Sequence, residues 1–573
     1  VKPVRGRFQR GAALLVMMVL VTLGASWMLL NALGTKANRT AVNRQHNAAV
    51  LAEARLALLS WVASQAIESS ENNPGRLPCP VAPAYLSNSD PDDDGIAAGS
   101  CTLPAVGRLP YRTLGLSKLL DAHGEPLWYV VSSGWALPNS DTLLTINSDT
   151  AGQLTVDGQA NAAVALIVAP GPAINVTAST NCSARAQTRN ATAPDLRDYL
   201  ECENATSPAD ATFATSGPTD SFNDQVLKIT TADVMPGLEA AIAKRIETQV
   251  APVLKTVYGS TTWGTSAANP AFAFPAPFGD PSASSYQGTS SACDSIWGVT
   301  AYCGLLPFNY SNCTPGADPR CTTTLVRWYT WTDPILAVVA GPGVLTSTPS
   351  CDFSGGSDGY AYCNGYYNGQ AMTVQLTATA RNVGMALRQF DLAQTQVWYD
   401  DGAIGWTNQG TVSTITGTLA TNGRATITAT ASLPDRTFNP GSYRYRVRVY
   451  IEAFADHPIL SSTDATTGWF VRNEWYRLLY YAVAPDYTPG GSRSCEDTTP
   501  TCLQVTNVPT GKTNKQRAIL LLAGRNLSTL SRPSSSLSAY LDSTENRNSD
   551  NVYEQLKVNP SFNDRVIVID ENS

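Results

Sequence analysis

Histidine is scarce in this chain: His46, His123 and His457 are the only three among 573 residues, and none sits beside a patterned partner. There is no P-loop, no GxSxG elbow and no HExxH pair, so phosphoryl transfer, serine hydrolysis and zinc proteolysis lack their local signatures. The 12 cysteines include no CxxC, and with so few histidines a zinc site has no ligand set. Charge is thin at 15%, with a net value of −7, which leaves no footprint for nucleic acid. A further gap is positional: no charged residue lies between Arg10 and Lys36. Neither an enzyme nor a nucleic-acid partner is expected.

What fills that gap carries the reading. Lys2, Arg5, Arg7 and Arg10 form a basic head, and Ala12 to Leu33 then run uncharged. As a helix this run is roughly 33 Å long, enough for a hydrocarbon core of roughly 30 Å. The cations on its N-terminal side place that end in the cytoplasm and the rest of the chain outside. A removed secretory signal and a plain uncleaved anchor are the alternatives. Against a signal, the run is long and no small-x-small cleavage site closes it. It also continues into a helical pattern from Thr35 to Ser69, with Val50, Leu51, Leu56, Leu59 and Val62 among its apolar positions.

A basic leader ending in glycine, then apolar residues running into an amphipathic helix, resembles a type IV prepilin. Arg10-Gly11-Ala12-Ala13-Leu14-Leu15-Val16 is similar to the leaders of minor pilins and minor pseudopilins, including the K-type tip subunit of type II secretion pseudopili. The resemblance implies cleavage by a prepilin peptidase between Gly11 and Ala12, leaving Ala12 as the mature N-terminus. Most pilins carry Glu at mature position five, and Val16 stands there instead. A carboxylate in a membrane is costly unless paired, and in the family it pairs with the neighbouring subunit's N-terminal amine. Its replacement favours a filament tip over a repeating shaft position. Pro74 to Pro80, Gly107 to Leu116 and Asp121 to Tyr129 also resemble large prepilin-type proteins of Gram-negative bacteria.

The cysteines fall in close couples: Cys79 and Cys101, Cys182 and Cys202, Cys293 and Cys303, Cys313 and Cys321, Cys351 and Cys363, Cys495 and Cys502. An even count beyond a membrane anchor reads as six local disulfides in an oxidising compartment, with the pairing among Cys303 to Cys321 open to exchange. Gly, Pro, Ser, Thr and Asn are plentiful, as in β- and loop-rich extracytoplasmic proteins.

Two distant stretches share landmarks in the same order. Trp128-Tyr129-Val130-Val131, Ala165 to Gly171, Tyr199 to Asn204 and Ser221-Phe222-Asn223-Asp224 are matched by Tyr480-Tyr481-Ala482-Val483, Ala518 to Gly524, Tyr540 to Asn546 and Ser561-Phe562-Asn563-Asp564. Such self-similarity predicts an internal duplication. Met235, Leu238, Ile242, Ile246, Val250, Val253 and Val257 predict an amphipathic helix after the Thr230-Thr231 cap, matching Glu53 to Gln65 in the first copy. Gly107-Arg108-Leu109-Pro110 and Gly304-Leu305-Leu306-Pro307 also correspond. Between Leu325 and about Trp469 the pattern changes to alternating strands: Thr373 to Ala380, Thr411 to Ala420, then Asn422-Gly423 as a hairpin turn into Arg424 to Thr430. Tyr443, Tyr445, Val447, Val449 and Ile451 share one face of a further strand, with Arg444, Arg446 and Arg448 on the other.

Two patterns suggest ligands. Asp90, Asp92 and Asp94 followed by Gly95, with the Ile96 carbonyl next, reproduce the first half of a calcium loop, although Cys101 stands where its bidentate Glu belongs. The arginine row suits an anionic glycan or surface, or is simply a solvated strand face.

The expected fold is therefore α+β: an N-terminal transmembrane and amphipathic helix, two tandem pilin-like helix-plus-antiparallel-sheet units, and an inserted all-β sandwich. Its divisions are a leader at 1–11, the helix at 12–70, a first unit at 71–230, the start of a second at 231–324, the insertion at 325–470 and the remainder at 471–573. The expected role is a minor pilin or pseudopilin at the tip of a type IV pilus or secretion pseudopilus. It would initiate or cap assembly and contribute to adhesion, with other pilins, prepilin peptidase and the inner membrane as partners. Its head would lie in the periplasm and then at the cell surface. A static inner-membrane-anchored periplasmic binding protein is the alternative, with an extracellular hydrolase a distant third.

Overall fold

The computed structural model describes residues 9–81, 95–101, 104–136, 139, 145–178, 182–189, 195–205, 211–215, 219, 221–256, 271–279, 287–288, 293, 300–307, 309–310, 330–353, 360–381, 393–400, 406–411, 414–419, 425–436, 443–451, 460, 464–495, 502–507, 515–548 and 550–571. The fold is mixed α/β and mostly β, with antiparallel pairing dominant and one long apolar helix near the N-terminus. The chain divides into two compact units. One gathers Val1–Leu58, Pro78–Ala136 and Gly152–Thr230; the other gathers Leu59–Leu77, Leu137–Ala151 and Thr231–Ser573.

Helix α1 (Gln9–Ile67) runs 59 residues without a proline. Toward its C-terminal end Leu51, Ala54, Leu58, Val62 and Ala66 are buried at three- and four-residue spacing, as one helical stripe requires. Each fully buried leucine or valine contributes about 1.5–3 kcal/mol. Within α1, Arg39–Ile67 is long and apolar enough to cross a membrane, a test that a signal sequence or the core helix of a soluble protein also passes.

In the first unit β1 (Ala105–Arg108), β2 (Trp128–Val131), β5 (Ala165–Ala169) and β9 (Gln225–Ile229) form an antiparallel sheet in the order β1-β2-β5-β9. A smaller sheet joins β4 (Gln159–Ala163), β3 (Leu154–Val156) and β8 (Thr212–Phe213), and β6 (Asn175–Val176) pairs with β7 (Arg185–Ala186). Val130, Leu166, Leu154, Val156 and Phe213 close one apolar cluster; Trp128, Val168, Tyr199 and Leu200 close another. β2 and β5 are buried on both faces, which explains their continuous apolar runs rather than alternation.

The second unit repeats this plan. β11 (Tyr302–Leu305), β22 (Leu479–Val483), β24 (Gln516–Leu522) and β26 (Arg565–Glu571) form an antiparallel sheet in the order β11-β22-β24-β26. The registers correspond: Gly107 faces Tyr129 as Gly304 faces Tyr481, and Val168 faces Val226 as Leu521 faces Val566. Each outer strand carries one extra bridge, from Val81 N to the Arg108 carbonyl and from Ala276 N to the Leu305 carbonyl, both 3.0 Å. Glycine is required beside each bridge. A Cβ on Gly304 would sit 2.0 Å from the Ala276 carbonyl oxygen, and one on Gly107 would sit 2.7 Å from Pro80 Cβ. The parallel pair β3–β8 has its counterpart in β23 (Gln504–Thr506) with β25 (Val552–Glu554). A short parallel pair joins β10 (Gln287–Gly288) to β12 (Asn309–Tyr310).

The predicted amphipathic helix begins at Thr231 and ends at Thr256, and its C-terminal part packs on β26. Its course includes a π turn over Ile246–Val250.

Two more sheets lie within the second unit. β13 (Thr330–Ala340), β16 (Met372–Arg381), β20 (Ala425–Leu433) and β19 (Thr414–Leu419) form one, in the order β13-β16-β20-β19. β14 (Ser350–Phe353), β15 (Ala361–Tyr367), β21 (Tyr443–Ile451), β17 (Ala393–Asp400) and β18 (Trp406–Thr411) form the other, in the order β14-β15-β21-β17-β18. One buried cluster draws on both: Val374, Leu376, Ile427 and Ala429 from the first, Cys363, Val397, Tyr445 and Val447 from the second. β19 and β20 pair with Leu419 opposite Ala425, and the turn residues Asn422 and Gly423 lie outside the described residues.

Candidate functional site

Each unit holds a reciprocal polar clasp at the end of its last sheet strand. In the first unit the Glu201 carboxylate accepts from the backbone of Asn223 (3.0 Å) and Asp224 (3.1 Å) through one oxygen. Its other oxygen accepts from Gln187 Nε2 at 2.6 Å. Asp224 Oδ2 answers by accepting from Glu201 N at 3.1 Å and from Asn204 Nδ2 at 3.0 Å. Asn204 also brackets the backbone of Ala214, accepting from its N–H and donating to its carbonyl.

In the second unit Asp542 takes the place of Glu201 and accepts from Asn563 N at 2.9 Å. The Asp564 carboxylate accepts from Asp542 N at 3.0 Å, Ser543 N at 3.1 Å and Asn546 Nδ2 at 3.1 Å. Asn546 brackets the Glu554 backbone as Asn204 brackets Ala214. The repeated Ser-Phe-Asn-Asp tetrad thus places one acid of each clasp, and the Tyr-Leu-acid segment places the other.

These acids are hard to ionise. Burial raises Glu201 and raises Asp224 well above the usual carboxylate range, and the Glu201 charge adds to the shift at Asp224. Each carboxylate is held chiefly by the backbone N–H groups of the other's segment, which partly offsets the cost of burying its charge. Burial pushes Asp564 up to about 6 and raises Asp542 as well. Clasps of this kind tie a loop to a strand; they present no open nucleophile or base.

A third buried polar group secures the end of α1. Arg245, 2% exposed, donates to the carbonyls of Glu71 (2.8 Å), Ser69 (3.1 Å) and Ala66 (3.5 Å). Its guanidinium lies 4.2 Å from the Trp469 ring centroid, and its Nε reaches Gln249 Oε1 at 3.0 Å. Burial pushes Arg245 down to about 10. Carbonyls at a helix C-terminus have no intrahelical donor, and the arginine fork supplies one.

Among the residues expected to carry function, Gly11 and Ala12 lie within α1. Asp90, Asp92 and Asp94 lie outside the described residues, whereas Gly95 adopts φ +88° and Ile96 is exposed. Among the described residues no group of three or more His, Cys, Asp or Glu is arranged to hold a metal ion. Five cysteine pairs are joined: Cys79–Cys101, Cys182–Cys202, Cys293–Cys303, Cys351–Cys363 and Cys495–Cys502. Cys313 and Cys321 lie outside the described residues. His46 Nε2 sits 3.1 Å from the Leu120 carbonyl and His123 Nε2 3.4 Å from Asn43 Nδ2; His457 is not among the described residues. Arg444, Arg446 and Arg448 do share one face of β21.

Sequence reading missed Arg245 altogether. It recorded Glu201, Asn204, Asp224, Asp542, Asn546 and Asp564 as landmarks of duplication without assigning them a role. The available signal was the tetrad itself, since an Asn-Asp pair kept beside two sheet strands needs partners there. Comparison with protein-family models, with curated proteins and with solved structures gives no match to this chain.

Proposed function

We propose that this chain is a minor pilin or pseudopilin of the type IV prepilin class, carried at the tip of a filament and acting by assembly and presentation rather than catalysis. The observation that carries this reading is α1: one unbroken helix of 59 residues that is apolar toward its N-terminus. The buried Arg245 fork binds the Ala66 carbonyl in the helix's last turn and the Ser69 and Glu71 carbonyls just beyond it. A subunit that inserts by its stem and bears a large head needs that continuity. The exposed apolar side chains Met18 and Val21 suit packing against lipid or sister helices. The two four-stranded sheets are read as tandem pilin-like units, and the two sheets around the Val374–Val447 cluster as an inserted sandwich. Five joined cysteine pairs accord with a head outside the cytoplasm.

The test is the mature N-terminus. Sequencing should find a methylated Ala12, and Gly11→Val should block processing and filament incorporation. An intact leader on protein lodged permanently in the inner membrane would leave the static periplasmic binding protein as the better reading. Calcium at Asp90, Asp92, Asp94 and the Ile96 carbonyl is part of the proposal. It predicts a calcium-dependent rise in melting temperature that Asp92→Asn abolishes.

A further inference from the structure

The outward face of the five-stranded sheet carries a ladder of arginines interleaved with rings. On β21, Arg444, Arg446 and Arg448 alternate with Tyr445, Val447 and Val449, which point into the apolar cluster. Register sets Tyr362, Asn364 and Tyr366 of β15 opposite Arg448, Arg446 and Arg444 in turn. On the other side it sets Gln396, Trp398 and Asp400 of β17 opposite the same three. The Arg448 guanidinium lies 5.0 Å from the Tyr360 ring centroid and 4.9 Å from that of Trp398. Arg446 lies 5.5 Å from the Tyr362 ring and donates to Asn364 Oδ1 at 2.7 Å. Tyr366, 42% exposed, stands at the end of the row.

We propose that this face binds an extended anionic polysaccharide. A guanidinium stacked on rings is held in a fixed plane, and its N–H fork then meets a carboxylate in two parallel bonds. Arginines two residues apart on a strand recur at about 6.8 Å, so the row offers a line of such forks and not a single point charge. The exposed ring of Tyr366 suits the C–H face of a pyranose ring, and Asn364 adds a polar planar group suited to hydroxyls. Asp352, opposite Tyr362, offsets part of the positive charge over this face, which favours dispersed carboxylates over a dense phosphate chain. Single-stranded nucleic acid is the poorer fit. It needs open ring faces in a strongly positive groove, whereas Arg448 covers two of these rings and the chain carries net charge −7.

This inference deepens the adhesive part of the filament-tip reading, yet its assay needs neither processing nor a filament. Purified full-length chain in detergent is titrated calorimetrically with polygalacturonate oligosaccharides, with neutral β-glucan oligosaccharides, and with single-stranded DNA. Polygalacturonate should bind. Arg446→Gln with Arg448→Gln should weaken it at least tenfold, and Arg448→Lys, which keeps the charge but loses the planar fork, should weaken it several-fold. Lys557→Gln, which removes an exposed cation elsewhere, should leave it unchanged. The altered side chains lie off the apolar core, and an unchanged circular dichroism spectrum and melting temperature show that the sheet persists. No polygalacturonate binding, equal binding of neutral glucan, DNA binding in its place, or full affinity in the double variant would each overturn the proposal. Loss of binding with normal filament incorporation would condemn the sheet face alone; binding by protein that never leaves the inner membrane would condemn the filament reading alone.

Discussion

The Asn546 side-chain amide donates to the Asp564 carboxylate at 3.1 Å, and Asn204 makes the same bond to Asp224 at 3.0 Å. Both asparagines are 1% exposed, and each also exchanges two hydrogen bonds with one backbone residue, Glu554 or Ala214. Replacing Asn546 by Ala removes one donor from the buried Asp564 carboxyl and strands the Glu554 N–H and carbonyl. The expected cost is about 2–4 kcal/mol, because buried groups left without partners lose their full solvation. Asn204→Ala should cost the first unit a similar amount. Urea unfolding followed by hydrogen exchange in each clasp segment measures both. A loss below about 0.5 kcal/mol would mean that water replaces the amide and the clasp is ornamental.

The acidic partner makes a separate prediction about pH. Burial holds Asp564 up at about 6, above the ordinary unfolded carboxylate value of about 3.9. Between these values the native state holds more protons than the unfolded chain, so stability falls as pH rises through that window. The contribution is complete below about pH 4 and lost above about pH 6, a swing of roughly 2–3 kcal/mol. Asp542 and Glu239 are raised by burial in the same unit and act in the same direction. Asp464 is lowered by hydrogen bonds from Thr467 and Thr466, so its contribution grows with pH below that range. Asp564→Asn should flatten the fall between pH 4 and 6 in chemical denaturation. An unaltered slope would show that Asp564 ionises freely in the folded protein.

The likeness of the two four-stranded sheets was legible because strands buried on both faces leave long apolar runs, as in Ala165–Ala169 and Gln516–Leu522, and because the tetrad repeats letter for letter. The clasp was not, since its acids differ in type, Glu201 against Asp542, and Asn204 and Asn546 stand at unequal distances from their aspartates. The arginine face was readable from period-two alternation alone, but ring partners such as Tyr362 and Trp398 come from β15 and β17, which only register brings alongside. The composition of the compact units was likewise hidden. Leu59–Leu77 and Leu137–Ala151 join the second through non-local bonds such as Ser148 to Glu239 and Arg532 to Asp149, which no local pattern announces.

Arg245 is a charged residue on a helical stripe that periodicity would fill with an apolar one. Arg245→Ala should destabilise the second unit by about 3 kcal/mol, since the Ala66 carbonyl in the last turn of α1, the Ser69 and Glu71 carbonyls just beyond it, and the face of Trp469 lose the guanidinium together. Arg245→Lys keeps a charge but reaches fewer carbonyls, and should cost about half as much. Limited proteolysis supplies a local readout, with new cleavage expected among residues 68–77. If both variants melt like the parent protein, the helix end is satisfied by water and the stem is held elsewhere.

Disulfide chemistry offers the last prediction. Cys351 and Cys363 face each other in register on β14 and β15, so their bond ties the edge strand to the sheet that bears the arginine ladder. Peptide mapping without reduction should recover the five described pairs, which leaves Cys313 and Cys321 as each other's remaining partners. Replacing Cys351 and Cys363 together by serine reopens a short loop, and the unfolded chain regains entropy worth about 2–3 kcal/mol. Because Cys363 is fully buried within the apolar cluster, its serine also places a hydroxyl there, adding roughly 1 kcal/mol. Melting of this variant should therefore begin in the two sheets around that cluster, with strand β14 exchanging its amides first. Recovery of a Cys303–Cys313 or Cys293–Cys321 peptide would instead show that the pairing in that stretch is not the sequential one.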